Sequence, residues 1–484
     1  MPFGWRDSSQ RLCPKRKFHT VTRSEFIDAV KGLCICREDY CGVADIIFGL
    51  QSATTLPQVE VIYTKVDKLN ESQNKAIQLA LESSLLCLWG PPGTEKTETI
   101  VEMICALQIA NEKARVLVTA PTHNAVNNVM RRYIKRIQEQ PLAQKSEPNI
   151  LRVSTEVRKV ADDLRKYICD AMAGQEIHGD YKTMKKAIQM IKDSDTVFTT
   201  CIGAGIGLLR SEFFDIVIVD EASQQTEPSS LVPLVKGCSK AILVGDHVQL
   251  RPTVQQTSLA LEFDVSRFER LYTEEGGLTE NGFSTMMLDT QYRMHPKLCE
   301  FSSGAFYEGK LKSRIDMSAR PLIKSDFPFP SVEIQGKSKE NKGQAELCVH
   351  ICKLLTSQND TQSIVVLTPY TRQAKSLKRM LPSTIEVSSI DRFQVREADV
   401  IVFVTVRCNE HRSIGFLKDM RRMNVALTRA RSAVIVIGHR ATLTEGTEDD
   451  ESSAMWKRLL RSLTEVKVEV PTSGDGPADG LKGR

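Results

Sequence analysis

The fold is decided by residues 85–97, which read LLCLWGPPGTEKT. A short apolar run ends in a turn rich in glycine and proline, and a segment of helical character, 98–107, follows at once. Strand, turn and helix in this order are the context that a phosphate-binding loop requires. The pattern G-x-x-x-x-G-K-[ST] is met except that Glu95 stands where the second glycine is expected.

In such a loop the backbone N–H groups and the helix N-terminus hold an anion. A lysine at the position of Lys96 reaches the terminal phosphates, and a hydroxyl at the position of Thr97 holds Mg²⁺. The candidate phosphate-binding residues are therefore Gly90, Pro91, Pro92, Gly93, Thr94, Lys96 and Thr97.

Composition is that of an ordinary globular protein. The chain has 484 residues, of which 41% are apolar and 26% charged, and two to four domains are expected at this length. The net charge of +5 permits a nucleic-acid partner without requiring one. No apolar run reaches the roughly 18 residues of a membrane span, and the basic N-terminus lacks the apolar core of a secretory signal. Thirteen scattered cysteines suggest reduced thiols in a cytoplasmic or nuclear protein.

After the loop, short apolar runs alternate with helix-length polar segments. The runs are Val116–Ala120, Thr196–Thr200, Ile216–Asp220, Ala241–Gly245, Ile364–Thr368, Val400–Thr405 and Val434–Ile437. Continuous β-branched runs are typical of strands covered on both faces, so they predict parallel sheets with helices on each side. Because the strands form two clusters, we predict an α/β fold with two domains in series.

The predicted domain organisation has four parts. They are an N-terminal accessory or stalk region at 1–68, a first domain at 69–285 with a helical insertion near 131–192, a second domain at 286–445, and a C-terminal tail at 446–484. In the tail we expect a short helix near 455–463 and disorder from 471 onward. Four cysteines, Cys13, Cys34, Cys36 and Cys41, could hold zinc, but their spacing favours plain buried thiols.

Two carboxylates follow a predicted buried strand, Asp220 and Glu221. Ligands bind at this edge of an open parallel sheet, so beside a phosphate loop Asp220 would hold Mg²⁺ and Glu221 would polarise an attacking water. Alone, the pair could equally be an acidic helix start. Gln249 follows another strand and is placed to sense a γ-phosphate. Arg293 and Arg429 are candidates to stabilise a transferring phosphoryl group.

Three later motifs complete an ordered series: QYRMHP at 291–296, DRFQVRE at 391–397 and NVALTRAR at 424–431. Over about residues 69–440 the chain resembles superfamily 1 helicases of the nonsense-mediated-decay type, including their zinc-finger-bearing RNA-silencing branch. The resemblance implies two RecA-like domains of the P-loop NTPase fold with ATP and Mg²⁺ between them. It further implies single-stranded RNA or DNA across their top, 5′ to 3′ translocation, and protein partners in RNA surveillance or silencing.

The same resemblance assigns further roles. Gln73 would read adenine, Tyr292 would stack near the base, and Glu397 would hold the ribose. Gln249, Arg293 and Arg429 would surround the γ-phosphate. The residues that would grip the nucleic-acid backbone are Thr122, Asn124, Thr368 and Pro369.

Two departures from the family pattern bear on activity: Glu95 and Val395 both replace glycine. A Cβ at position 95 crowds the phosphates, and the Glu95 carboxylate either rotates to solvent or folds into the anion site. Two hypotheses stay open for this chain, an ATP-dependent helicase and a nucleic-acid-binding scaffold whose ATPase has decayed. An unrelated phosphate-loop ATPase is disfavoured, since it would not need QYRMHP or LTRAR. The family's accessory β-barrel is expected to be reduced, because only 68 residues precede the adenine motif.

Overall fold

The computed structural model describes a defined part of the chain. The described residues are 43, 63–140, 142, 148–154, 156–169, 181–273, 283–316, 340–358, 363–393, 396–409, 411–445 and 450–464. The predictions for the four N-terminal cysteines, for Val395 and for the tail beyond 471 lie outside these residues.

The chain divides into two compact units, which are described separately. The first comprises Met1–Gly90, Lys96–His247 and Arg251–Leu288. The second comprises Pro91–Glu95, Val248–Leu250 and Asp289–Arg484. The domain boundaries given above stay predictions.

The first unit is built on a seven-stranded parallel sheet. Its strands are β1 Leu85–Trp89, β2 Val116–Ala120, β3 Ile150–Arg152, β4 Thr196–Thr200, β5 Ile216–Val219, β6 Lys240–Gly245 and β7 Ser284–Met287. The order across the sheet is β3-β4-β2-β5-β6-β1-β7. Its helices are α1 Glu71–Glu82, α2 Lys96–Ala110, α3 His123–Glu139, α4 Tyr181–Lys192, α5 Glu227–Leu234, α6 Gln256–Leu259 and α7 Arg267–Thr273.

Burial explains why these runs form central strands. Every residue of β1, β2 and β5 is buried, as expected for parallel strands covered on both faces. Trp89 at the end of β1 lies opposite Gly245 of β6, and Asp220 follows β5 directly. The carboxyl ends of β1, β5 and β6, which are neighbours in the sheet, therefore lie along one edge. Helices α1, α2 and α3 pack on the sheet and share one hydrophobic core with it. Next to this core, the Tyr133 hydroxyl donates a buried hydrogen bond to Gln108 Oε1 at 2.6 Å.

The second unit holds a four-stranded parallel sheet in the order β11-β10-β12-β13. These strands are β10 Ile364–Leu367, β11 Glu386–Ser388, β12 Ala398–Val404 and β13 Ala430–Ile437. A two-stranded parallel pair joins β8 Thr290–Gln291 to β9 Lys312–Ser313. The helices are α8 Pro296–Phe306, α9 Lys342–Gln358, α10 Thr371–Met380, α11 Met420–Thr428, α12 Arg440–Thr444 and α13 Asp450–Ser462. Helix α13 buries Trp456 completely, and its indole donates to Leu417 O at 3.1 Å.

The predicted α/β class with parallel sheets in series is confirmed, and every predicted strand is present. Residues 131–192, for which a helical insertion was predicted, contain the second half of α3, the helix α4 and the strand β3, which was not predicted. Strands β7, β8, β9 and β11 were also missed. Each has four residues or fewer, and none is a continuous β-branched run. Among the described residues, no helix is long and apolar enough to cross a membrane.

Helix α1 begins with a reciprocal cap that fixes the position of Gln73. Asn70 Oδ1 accepts from Gln73 N at 2.8 Å, and Gln73 Oε1 accepts from Asn70 N at 3.0 Å. We expect Asn70→Ala to lower the free energy of unfolding by about 1 kcal/mol, because the first turn of α1 loses its acceptor. Asn70→Asp keeps an acceptor and should match the parent within a few tenths of a kcal/mol. Urea unfolding of the three proteins checks this, and an alanine variant as stable as the parent would contradict it.

Candidate active site

Lys96 is the first residue of α2 and folds back over the phosphate loop. Its ammonium donates to Gly90 O at 2.6 Å. A Cβ added to Gly90 would lie 2.1 Å from Lys96 Cδ, so only glycine permits this arrangement. Thr97 follows, half-buried, in the first turn of α2. To reach a phosphate, Lys96 must therefore exchange its bond to Gly90 for one to the ligand.

Glu95 adopts a backbone conformation that glycine favours. Its φ is +56°, in the left-handed region, where an L-residue with a Cβ costs about 1–2 kcal/mol. This explains why the loop pattern has glycine at this position. The residue as a whole is exposed. The departure thus places both backbone strain and a negative charge next to Lys96.

Gly93 is required for a close approach within the second unit. Its φ is +74°, and an added Cβ would lie 2.7 Å from Arg293 Cβ. Gly93 O also accepts from Tyr292 N at 2.8 Å. Within the second unit, the structure therefore brings Gly93 together with two predicted site residues of the QYRMHP motif. Tyr292 itself is half-buried.

The two carboxylates after β5 differ in environment. Asp220 is 5% exposed, and burial raises its pKa to about 7, helped by the charge of Glu221 and opposed by the Lys96 ammonium. Glu221 has a φ of +51° and donates its backbone N–H to Asp220 Oδ1 at 2.9 Å. Gln224 Nε2 donates to Glu221 Oε2 and holds that carboxylate in place. Backbone strain of this kind is common at functional sites.

These oxygens fit a magnesium ion. Mg²⁺ prefers oxygen ligands and is commonly bound through one or two carboxylates together with substrate phosphates. Asp220 offers a carboxylate whose pKa is raised mainly by burial, and a bound divalent cation would stabilise its charged form. Within the described ranges, no group of three or more His, Cys, Asp or Glu side chains could hold a metal.

Gln249 and Arg429 meet in the second unit although 180 positions separate them. Arg429 is 3% exposed, and its guanidinium donates to Gln249 Oε1 at 2.9 Å and to Val425 O at 3.3 Å. Asn424 Nδ2 donates to Val248 O at 3.0 Å, which ties the segment Val248–Leu250 to α11. Two residues predicted to surround a γ-phosphate thus lie in hydrogen-bonding contact.

Arg293 and Glu397 form an ion pair, and Arg431 pairs with the same carboxylate. Partial burial raises the pKa of Glu397, but the charges of Arg293 and Arg431 outweigh it and hold the pKa below its usual value. The resemblance assigns Arg293 to the γ-phosphate and Glu397 to the ribose. Both roles require this ion pair to open, because the two side chains contact each other here.

The remaining predicted residues have local partners. Gln73 belongs to the cap of α1, and Thr122 caps α3 by accepting from Ala125 N at 3.2 Å. Asn124 is exposed on α3, and Pro369 is half-buried. Thr368 is fully buried, and its hydroxyl accepts from Tyr370 N at 3.5 Å. Thr122 and Asn124 thus present accessible side chains, whereas Thr368 does not.

Sequence reasoning missed three positioning residues: Gln224, Asn424 and Arg431. Gln224 lies three positions after Glu221, so its place in a 3₁₀ turn after the strand was a usable signal. Asn424 and Arg431 stand within the quoted NVALTRAR motif. Their partners Val248 and Glu397 are distant in sequence, and no local pattern indicated these contacts.

Family models described as AAA domain match most of the chain. One matches residues 68–189 and 171–257, and the other matches residues 263–441. The first match covers β1 to β6 of the seven-stranded sheet, and the second covers β7 and the four-stranded sheet.

The proteins whose sequences are similar to this chain are named as helicases or as regulators of nonsense transcripts. The "Regulator of nonsense transcripts 1 homolog" of Drosophila melanogaster is 33% identical over 86% of this chain and 37% of its own length. The "ATP-dependent helicase NAM7" of Saccharomyces cerevisiae is 32% identical over 86% of this chain and 45% of its own length. The "DNA polymerase alpha-associated DNA helicase A" of Schizosaccharomyces pombe is 32% identical over 79% of this chain and 65% of its own length. The chain therefore spans less than half the length of the first two relatives.

The raised pKa of Asp220 gives the metal-free protein a defined pH dependence. From about pH 4 to about pH 7 the unfolded chain has lost this proton while the folded protein retains it. The free energy of unfolding should therefore fall as pH rises through that window, by about 1.4 kcal/mol for each unit of pKa shift. Asp220→Asn removes the titrating carboxyl group. The free energy of unfolding of this variant, relative to that of the parent, should therefore be greater at pH 8 than at pH 4.

Urea unfolding in a chelator at pH 4, 5.5 and 8 measures this difference. Asp162→Asn is the matched control, because its side chain is 87% exposed and should follow the parent at every pH. If the difference between Asp220→Asn and the parent were the same at pH 4 and pH 8, Asp220 would titrate normally in the folded protein.

Proposed function

This chain belongs to the superfamily 1 helicases of the nonsense-mediated-decay type, and from that premise we propose that it is an ATP-dependent helicase or translocase. Its substrates would be ATP with Mg²⁺, bound between two RecA-like domains, and single-stranded RNA or DNA bound across them. Protein partners would belong to RNA surveillance or silencing, in the cytoplasm or the nucleus.

The observation that carries this proposal lies in the first unit. Lys96, the first residue of α2 after the phosphate loop, and Asp220, which directly follows β5, lie at the carboxyl edge of the sheet, and the charge of Lys96 lowers the raised pKa of the buried Asp220 carboxyl. A cation for phosphate and a carboxylate for magnesium at one edge of a parallel sheet are what phosphoryl transfer requires.

In the proposed reaction each residue has a limited task. Lys96 and the loop N–H groups bind the phosphates, and Thr97 and Asp220 hold Mg²⁺, which neutralises developing charge. Glu221 orients and polarises the attacking water, with Gln224 fixing its carboxylate. Arg429 and Arg293 would stabilise the charge of the transferring phosphoryl group. Gln249, which is hydrogen-bonded to Arg429, would couple the presence of the γ-phosphate to α11.

Nucleic-acid binding is proposed to be sequence-tolerant. Thr122 and Asn124 in the first unit and Pro369 in the second would contact the sugar-phosphate backbone. Because Thr368 is buried, its part would be to fix the turn at Tyr370 rather than to touch the strand with its hydroxyl. Contacts to phosphate release counterions, so affinity should fall steeply with salt.

A second candidate function is a nucleic-acid-binding scaffold with a decayed ATPase. The left-handed conformation of Glu95 favours it, because a Cβ and a charge stand at the point where the loop backbone must approach the phosphates. At about 5 Å and an effective dielectric of about 20, one unit of like charge costs on the order of 3 kcal/mol. Exposure of Glu95 reduces that cost, which is why the helicase proposal comes first.

Replacing Glu95 separates the two candidates. We expect Glu95→Gly to raise ATP affinity about tenfold or more, because it removes strain, bulk and charge together. Glu95→Gln keeps the bulk and should recover only the electrostatic part, while Glu95→Ala should recover less than glycine. Titration calorimetry with Mg²⁺ and a non-hydrolysable ATP analogue measures all of them.

Glu308→Gly is the matched control for this series. Glu308 has a φ of +54°, and its side chain is 61% exposed, yet it has no assigned role at the nucleotide. The Glu308→Gly substitution should relieve a similar backbone strain and leave the ATP affinity unchanged. A parent that binds ATP as tightly as Glu95→Gly would refute the decayed-ATPase alternative.

Arg429→Ala should lower strand-stimulated ATP turnover by about a thousandfold or more, with nucleic-acid affinity changed less than about threefold. The exposed Arg461 of α13 provides the control Arg461→Ala, which should keep full turnover. Because Arg429 is buried, thermal melting must show that the variant is folded. Equal turnover of Arg429→Ala and the parent at saturating strand would remove Arg429 from the site.

A further inference from the structure

Phe416 is an exposed aromatic residue in the second unit. It lies in the 3₁₀ turn Gly415–Lys418 between β12 and α11, and 55% of it is exposed. A single exposed hydrophobic residue is ordinary on a protein surface and needs no function. The side chains around Phe416, however, fix the position of its ring and include positively charged groups.

The Phe416 ring packs between an aromatic and a cationic side chain. The Tyr370 ring meets it edge-on, with centroids 5.8 Å apart and planes at 63°. The Arg422 guanidinium lies 5.7 Å from the Phe416 centroid, and it is itself held by Asp419 at 2.8 Å and by Asp391 at 3.2 Å. The ring is thus positioned although it is more than half exposed.

Gly415 and Arg407 complete the support. Gly415 has a φ of +56°, which favours glycine, and a Cβ there would lie 2.1 Å from Arg407 Nη2, so a side chain at this position would displace the Arg407 guanidinium. The Arg407 guanidinium lies 5.9 Å from the Tyr370 centroid. Burial raises the pKa of Tyr370, and the charge of Arg407 opposes that rise. Tyr370 and Arg407 follow β10 and β12, at the edge of a parallel sheet where ligands bind.

The adjacent helix α10 adds exposed positive charge. It begins directly after Tyr370 and contains no acidic residue. Its exposed cations are Arg372, Lys375, Lys378 and Arg379. In the part of the chain that the structure describes, none of these four pairs with a carboxylate. They are therefore available to phosphate groups.

We propose that Phe416 is a stacking platform for an unpaired base of single-stranded nucleic acid, with Arg372 and Lys375, in the half of α10 next to Tyr370, contacting neighbouring phosphates. The proposal rests on the proposed function, which makes single-stranded nucleic acid the substrate, and adds that Phe416 contacts a base. An aromatic ring beside unpaired cations matches a strand of bases and phosphates, and stacking is tolerant of sequence because every base has a π-face. The cations argue against an apolar protein partner at this surface.

Phe416→Ala should weaken binding of a single-stranded oligonucleotide between about fivefold and about a hundredfold, the range that loss of one base stack gives. Phe416→Trp should retain the affinity. Phe213→Ala is the matched control, because Phe213 is 51% exposed and precedes β5 at the opposite, amino-terminal edge of its sheet. It should bind as the parent does. Fluorescence anisotropy with a labelled strand measures all four proteins.

Two further readouts separate stacking from structural damage. Against a strand whose central nucleotides are abasic, Phe416→Ala should bind as well as the parent, since no base remains to stack. Its dependence on salt should equal the parent's, because a phenyl ring releases no counterion. Lys375→Gln should instead lower the slope of log affinity against log salt by about 0.7 if it loses one phosphate contact.

The inference is overturned by equal affinity of Phe416→Ala and the parent, or by an equal loss on normal and abasic strands. If the parent binds single strand and hydrolyses ATP while Phe416→Ala shows no defect, only this inference fails. If the parent binds no single strand at 50 mM salt, the proposed function fails as well. Tighter binding of an acidic peptide than of the oligonucleotide would assign the surface to a protein partner and also overturn it.

Discussion

The buried carboxylate of Asp220 is the constraint on which the first unit depends. Removing this charge from water is unfavourable, and the neighbouring Glu221 makes it more so, as the raised pKa shows. What opposes the cost is the Lys96 ammonium and a backbone N–H of Glu221. Such a site gains most from a bound divalent cation. The parallel sheet serves this arrangement, because it delivers the loop after β1 and the carboxylates after β5 to the same edge.

In the second unit, the arginines of the site are held by protein side chains that a phosphate could replace. Arg429 is hydrogen-bonded to Gln249, and Arg293 is paired with Glu397, which Arg431 also contacts. Each arginine is therefore positioned before any ligand arrives, and each can transfer its hydrogen bonds to a phosphate oxygen. Because each of these contacts must open before the cation reaches a phosphate oxygen, the bond that is lost offsets part of the stabilisation that is gained. The Lys96 bond to Gly90 follows the same principle in the first unit.

The sequence predicted the central strands because each is a continuous apolar run, as at 116–120 and 216–219. It missed short strands such as β11, which lie at the margins of a sheet and carry polar residues. Asp220, Glu221 and Lys96 were found from motifs whose members are local in the chain. The ion pair of Arg293 with Glu397 joins residues 104 positions apart, and only folding reveals it. The left-handed φ of Glu95 could be inferred from the missing glycine, but the exposure of the residue could not.

The central claim is that this site hydrolyses ATP when single-stranded nucleic acid is bound. Its most direct test is phosphate release by the unmodified chain, with and without single strand, compared with Glu221→Gln at saturating ATP and Mg²⁺. The account predicts strand-stimulated release by the unmodified chain and a loss of about a hundredfold or more in Glu221→Gln, whose ATP affinity stays within about twofold. An unmodified chain that binds the strand but releases no more phosphate than Glu221→Gln would contradict the account.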